Sequence, residues 1–101
     1  MKGTFRYLVV ATNRVQNLEE VLARAVMELW GLRGLAEVGV SVIEVKGDKG
    51  LAIVRVKREG LPLFRAAVAV HPEPILRVLK VTGTLKKARE IQSSIVNSSV
   101  P

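Results

Sequence analysis

The stretch Lys49-Gly50-Leu51-Ala52-Ile53-Val54-Arg55-Val56-Lys57 reads as a β-strand leaving a tight turn. Strand alternation puts Leu51, Ile53, Arg55 and Lys57 on one face and Ala52, Val54 and Val56 on the other. Immediately before it, Gly47-Asp48-Lys49-Gly50 is a turn between two β-rich runs. The run before that turn, Val38 to Lys46, places Val38, Val40 and Val42 on one side and Ile43 and Val45 on the other. The two runs therefore predict a hairpin.

Outward from this hairpin the chain keeps the same grammar. Phe5 to Ala11 is apolar and reads as a first strand. Asn17 with Glu20 three residues on approximates a capping box. Leu18, Val21, Leu22, Ala25, Val26 and Leu29 then recur at helical spacing, and Gly31 and Gly34 are predicted to stop that helix. Trp30, at its end, reads as a packing anchor. Gly60 and Pro62 open a second helix, from Leu63 to about Val70, which Pro72 and Pro74 end. Ile75 to Thr82 is a fourth strand, and Thr84 caps a last helix reaching about Val96. The order predicts an α+β domain over residues 1–97, with a flexible tail at 98–101. It is a ferredoxin-like, RNA-recognition-motif-like split βαβ sandwich, a four-stranded mainly antiparallel sheet with an added C-terminal helix.

The third strand fits the signature of the RNA-recognition motif at its lysine, glycine, small residue and valine. Its three aromatic places hold Leu51, Ile53 and Val56 instead. Without rings this strand cannot stack bases. The face carrying Phe5, Tyr7, Val9, Leu51 and Ile53 is expected to turn away from the helices and to meet a partner protein, with the terminal helix as the other possible cover.

Composition narrows the function. In 101 residues there are 16 Lys and Arg against 9 Asp and Glu, a net charge of +7. Residues 1–50 hold seven basic and six acidic side chains, whereas residues 51–101 hold nine and three. Such asymmetry points to an anionic partner, of which nucleic acid is the commonest. The absence of cysteine excludes disulfides and thiolate metal sites. No run of 18 apolar residues offers a membrane span, and no long apolar segment opens the chain.

The most informative segment is Val81-Thr82-Gly83-Thr84-Leu85-Lys86-Lys87-Ala88-Arg89. Cations in the first turns of a helix oppose its dipole, so three of them there imply that something negative is awaited. Free N–H groups at a helix start bind phosphate, and Gly83 would let a phosphate approach the backbone.

At these residues the sequence resembles protein component 2 of archaeal ribonuclease P, a family with relatives in eukaryotic ribonucleases P and MRP. Arg6-Tyr7-Leu8-Val9-Val10 resembles the family's opening strand. Leu29-Trp30-Gly31 with Leu35-Ala36 resembles its helix end, and Gly50-Leu51-Ala52-Ile53-Val54-Arg55 its Gly-Ile-Ile-Arg strand. Val81-Thr82-Gly83-Thr84-Leu85-Lys86-Lys87 resembles its Val-Ser-Gly-Thr-Ile-Lys-Lys signature, with Thr82 for the usual Ser. The resemblance covers about residues 5–92. It implies a cytoplasmic, RNA-binding, non-catalytic subunit that helps a catalytic RNA remove 5′ leaders from precursor tRNA. It also implies a hetero-oligomer with ribonuclease P RNA and a barrel-like α/β protein subunit. Mg2+ would belong to the RNA catalyst, with no cofactor bound by the protein. The candidate RNA-binding residues are Arg55, Lys57, Arg58, Gly83, Thr84, Lys86, Lys87 and Arg89. Arg55, Gly83, Thr84, Lys86 and Lys87 among them are the positions that match the family's motifs.

Nothing in the sequence assembles into protein-borne catalysis. His71 is a helix-end histidine, Glu19 and Glu20 are first-turn acids, and Glu44 and Asp48 flank the hairpin without further ligands nearby in sequence. Two other functions remain open from the residues alone: a ferredoxin-like regulatory or small-ligand dimer joined through its sheet faces, and a proteinaceous nuclease.

Overall fold

The computed structural model describes residues 4–98. Strands β1 (Phe5–Ala11), β2 (Ser41–Lys46), β3 (Leu51–Lys57) and β4 (Arg77–Thr82) alternate with helices α1 (Leu18–Val38), α2 (Leu61–Val70) and α3 (Leu85–Ser98). Short 3-10 turns at Gly47–Lys49 and Arg58–Gly60 lie on either side of β3. The sheet order is β2-β3-β1-β4, and every neighbouring pair is antiparallel. This is the ferredoxin-like split βαβ arrangement with a C-terminal helix added.

The alternation of β3 divides the core as its sequence predicts. Ala52, Val54 and Val56 join Leu8 and Val10 of β1 beneath α1 and α2, against Leu22, Val26, Val38 and Phe64. Full burial of such side chains is worth about 1.5–3 kcal/mol each, so this layer dominates the fold's stability. On the opposite face Val9 and Ile53 are fully buried with Ala88 of α3, and Tyr7, Ile43, Leu85, Ile91 and Ile95 pack around them. The molecule therefore has three layers: α1 and α2, the sheet, then α3.

Part of the expected partner face is covered from within the chain. Val9 and Ile53 lie beneath α3, Leu51 is 5% exposed, and Phe5 and Tyr7 are half-buried. The amphipathic underside of α3, with Leu85, Ala88, Ile91 and Ile95 at spacings of three and four, covers Val9 and Ile53 and packs with Tyr7.

Several boundaries also move. Helix α1 passes through Gly34 and ends at Val38, with Gly39 closing it in the left-handed region and its N–H donating to Leu35 O at 3.0 Å. Gly31 breaks it instead of stopping it: at φ 76° and ψ −173° it leaves helical geometry for one residue. Burial of Gly34 and Val38 carries the chain on in helix beyond the break. That extension shortens the run expected from Val38, so β2 begins at Ser41, and β4 begins at Arg77 in place of Ile75. Asn17 occupies the cap position of α1 in the left-handed region, but its side chain makes no cap bond. Glu19, on the first turn, accepts from Val42 N–H at 2.8 Å, beside the register shift between Val42 and Glu44 where the β2–β3 ladder is interrupted. Ser98 lies in α3, and the rest of the expected tail lies outside the described residues.

Candidate nucleic-acid interface

One end of the sheet gathers the start of β1, the ends of β3 and β4, and the start of α3. Tyr7 pairs with Thr82 in the β1–β4 register, so the chain leaves β4 beside Arg6. A Cβ built on Gly83 would lie 3.9 Å from Arg6 Nη1. The Arg6 guanidinium also donates to Phe5 O at 2.9 Å, which holds the side chain along the strand.

Thr84 then caps α3. Its hydroxyl accepts from Lys87 N–H at 3.2 Å, and its carbonyl accepts from Ala88 N–H at 3.1 Å. With Lys87 N–H used in this way, the N–H groups of Leu85 and Lys86 are left as open donors at the positive end of the helix. Lys86 is exposed and has no ion-pair partner among the described residues, whereas Lys87 stands 4.0 Å from Glu90. The two open backbone donors and the two lysines of the first turn of α3 thus follow the exposed Gly83 directly in the chain, and the Arg6 guanidinium lies beside it. An anion there would meet backbone donors and positive charge.

The other candidates are differently employed. Arg55 lies with its guanidinium carbon 4.4 Å from the centroid of the Phe5 ring, and its Nε is buried without a partner. Lys57 turns to α1 and donates to Ala36 O at 3.0 Å, a cation at a helix C-terminus. Arg89 reaches across the sheet to Glu44, Nε to Oε2 2.5 Å, and ties α3 to β2. Arg58 is exposed on the 3-10 turn after β3. The geometry therefore brings Gly83, Thr84, Lys86 and Lys87 together, gives Lys57 and Arg89 structural partners, and leaves Arg58 on the surface. Sequence reasoning missed Arg6. It stands in the first strand, and only the antiparallel pairing of β1 with β4 shows that it neighbours Gly83.

No group of three or more His, Cys, Asp or Glu among the described residues could hold a metal ion. His71 Nδ1 sits 2.8 Å from Glu73 O in the turn after α2, and Glu44 is engaged by Arg89. Trp30 spans the two helices of the first layer, its indole N–H donating to Leu63 O at 2.9 Å. No helix among the described residues is long and apolar enough to cross a membrane.

The sequence matches the ribonuclease P model of the Rpp14/Pop5 family over residues 5–92. The chain belongs to that family. The match includes every strand and the whole basic start of α3. Among solved structures, a chain in the cryo-EM structure of yeast ribonuclease MRP is similar at 14% identity. It has a TM-score of 0.58, with 97% of this chain and 92% of that chain covered. At that identity the likeness concerns the fold, and it extends through all three layers. No curated protein sequence matches the chain. Family membership agrees with the resemblance carried by the Arg6–Val10, Gly50–Arg55 and Val81–Lys87 segments.

Proposed function

We propose that this Rpp14/Pop5-family chain is an RNA-binding subunit of ribonuclease P that assists a catalytic RNA in removing 5′ leaders from precursor tRNA. The observation that carries the reading is the start of α3, where open Leu85 and Lys86 N–H groups and the exposed Lys86 and Lys87 follow Gly83, with the Arg6 guanidinium beside that glycine. A phosphate of the RNA backbone would be met there by the open backbone donors and by the Lys86 and Lys87 ammonium groups. Binding there releases counterions, and it fixes position without reading sequence. The sheet supports the same mode. Phe5 is covered by Arg55 and Tyr7 packs against the buried Val9–Ile53 cluster, so neither ring is offered to a base as in the stacking of single-stranded RNA.

In this reading the protein holds and orients RNA, and bond cleavage with its Mg2+ belongs to the RNA. The complex is a cytoplasmic hetero-oligomer that includes a barrel-like α/β protein subunit. The alternative dimer joined through sheet faces loses its surface, because α3 occupies it.

Reconstitution tests the proposal. Precursor-tRNA cleavage should require the cognate RNA and rise when this protein is added. The variant Lys86→Ala/Lys87→Ala should bind the RNA more weakly and flatten the dependence of log K on log salt by about 1.5 units, at roughly 0.7–0.9 per lost phosphate contact. Cleavage by the protein alone, or an unchanged salt slope, would overturn it.

A further inference from the structure

The two edges of the sheet are finished differently. At the β2 edge the Glu19 carboxylate of α1 accepts from Val42 N–H at 2.8 Å. At the β4 edge no side chain or loop among the described residues takes up the outward backbone groups, and the strand is six residues long. An open edge is a row of N–H and C=O groups ready to pair with another extended chain. Beside it, between α2 and β4, runs a groove of about 350 Å3. Phe64, Val68 and Ala69 of α2 line it together with Leu76 and Val78, and Arg65 and Arg77 complete the lining.

The pairing of β4 with β1 sorts its side chains. Val78 and Val81 lie opposite Val10 and Leu8, on the face that α1 and α2 cover. Arg77 and Lys80 lie opposite Ala11 and Val9, on the other face. They are three positions apart and still share a face, because the register shift passes over Leu79. Both are exposed, as is Arg65, and none of the three forms an ion pair among the described residues. Helix α2 and strand β4 carry these three cations and no carboxylate. A strand added at this edge would turn its side chains alternately two ways: toward the apolar groove, then alongside Arg77 and Lys80.

We propose that the β4 edge receives an extended segment of another protein in which apolar and acidic side chains alternate. The backbone of that segment pairs with β4, its apolar side chains enter the groove beside Phe64 and Val78, and its carboxylates face Arg77 and Lys80. The surroundings of the edge tell against other occupants. RNA would satisfy the cations, but it has no amide backbone to extend the ladder and no apolar side chain for the groove. A second β4 edge would set Arg77 and Lys80 against like charges, which is how cations on an edge keep copies apart. The proposal does not depend on the RNA-binding reading.

Titration of the full chain with labelled synthetic peptides tests it, read by fluorescence anisotropy. A peptide of alternating leucine and glutamate, at least as long as the six-residue β4, should bind. The same residues in two blocks, leucines and then glutamates, should bind at least tenfold more weakly. N-methylation of the leucines or of the glutamates should abolish binding in one case and spare it in the other, because only one edge of the peptide donates to β4. Arg77→Glu and Lys80→Glu should each weaken the peptide about tenfold, and together they should admit a leucine–lysine peptide in its place. Circular dichroism should show unchanged folding, since both side chains are exposed. Absence of binding by the alternating peptide would overturn the proposal. So would equal binding of the blocked peptide, equal effects of the two methylations, or charge variants that bind as the wild type does. An RNA oligonucleotide that binds where the peptide does not, and loses affinity on Arg77→Glu/Lys80→Glu, would give the edge to nucleic acid and overturn it equally.

Discussion

Gln92 is 1% exposed on the underside of α3, and its Nε2 has no hydrogen-bond partner. Its neighbours on that side of the helix, Ala88, Ile91 and Ile95, are apolar. An amide donor buried without a partner carries a desolvation penalty of about 1–3 kcal/mol, and an apolar side chain of similar volume removes it. Gln92→Leu should therefore stabilise the fold by about 1 kcal/mol, read as a higher urea midpoint with an unchanged slope. A lower midpoint would mean that the amide is satisfied in solution. Thr84 shows the opposite case, a polar side chain with its bond made. Its hydroxyl holds Lys87 N–H, and in doing so it sets which backbone donors of α3 stay open for an anion. The site depends on which donor is occupied as much as on how many lysines stand nearby.

The elements differ in how far their sequences announce them. Gly31 is the informative case, because it punctuates α1 without ending it. Its φ and ψ lie in a region open essentially to glycine, at a strain of about 1–3 kcal/mol for other residues. Since a Cβ there would meet nothing, Gly31→Ala should destabilise by that amount through backbone strain alone, measurable by urea denaturation. An unchanged stability would show that α1 can run straight through. Strands β1 and β3 were legible to the residue, because alternation and flanking turn residues are local signals. The end of α1 was not, because what holds Gly34 and Val38 in helix is tertiary burial. The site divides in the same way. Gly83, Thr84, Lys86 and Lys87 are contiguous, so the sequence displays them together. Arg6 joins them through strand pairing, Lys57 is drawn off by Ala36 O, and Arg89 by Glu44 forty-five positions away. No local pattern encodes those choices.

At the scale of the whole molecule, α3 has two duties that the layer order joins. Its start presents the basic cluster, and its underside closes the sheet over Val9 and Ile53. The helix is fixed by a small apolar cluster and by the exposed Arg89–Glu44 pair, and exposed pairs are individually worth little. Burial of Val9, Ile53 and their neighbours must therefore hold it in place, at about 25 cal/mol for each Å² of apolar surface removed from water. A chain ending at Gly83 should bare that face while keeping the first core intact. It should bind a hydrophobic dye, associate at concentrations where the full chain does not go beyond its native assembly, and lose RNA affinity. Lys86→Ala/Lys87→Ala should share only the last of these effects, since it leaves Leu85, Ala88, Ile91 and Ile95 in place. The pair of variants separates the cover from the grip. If the shortened chain bound no dye and kept its assembly state, the sheet face would not need α3, and the aliphatic residues of β1 and β3 would require another explanation.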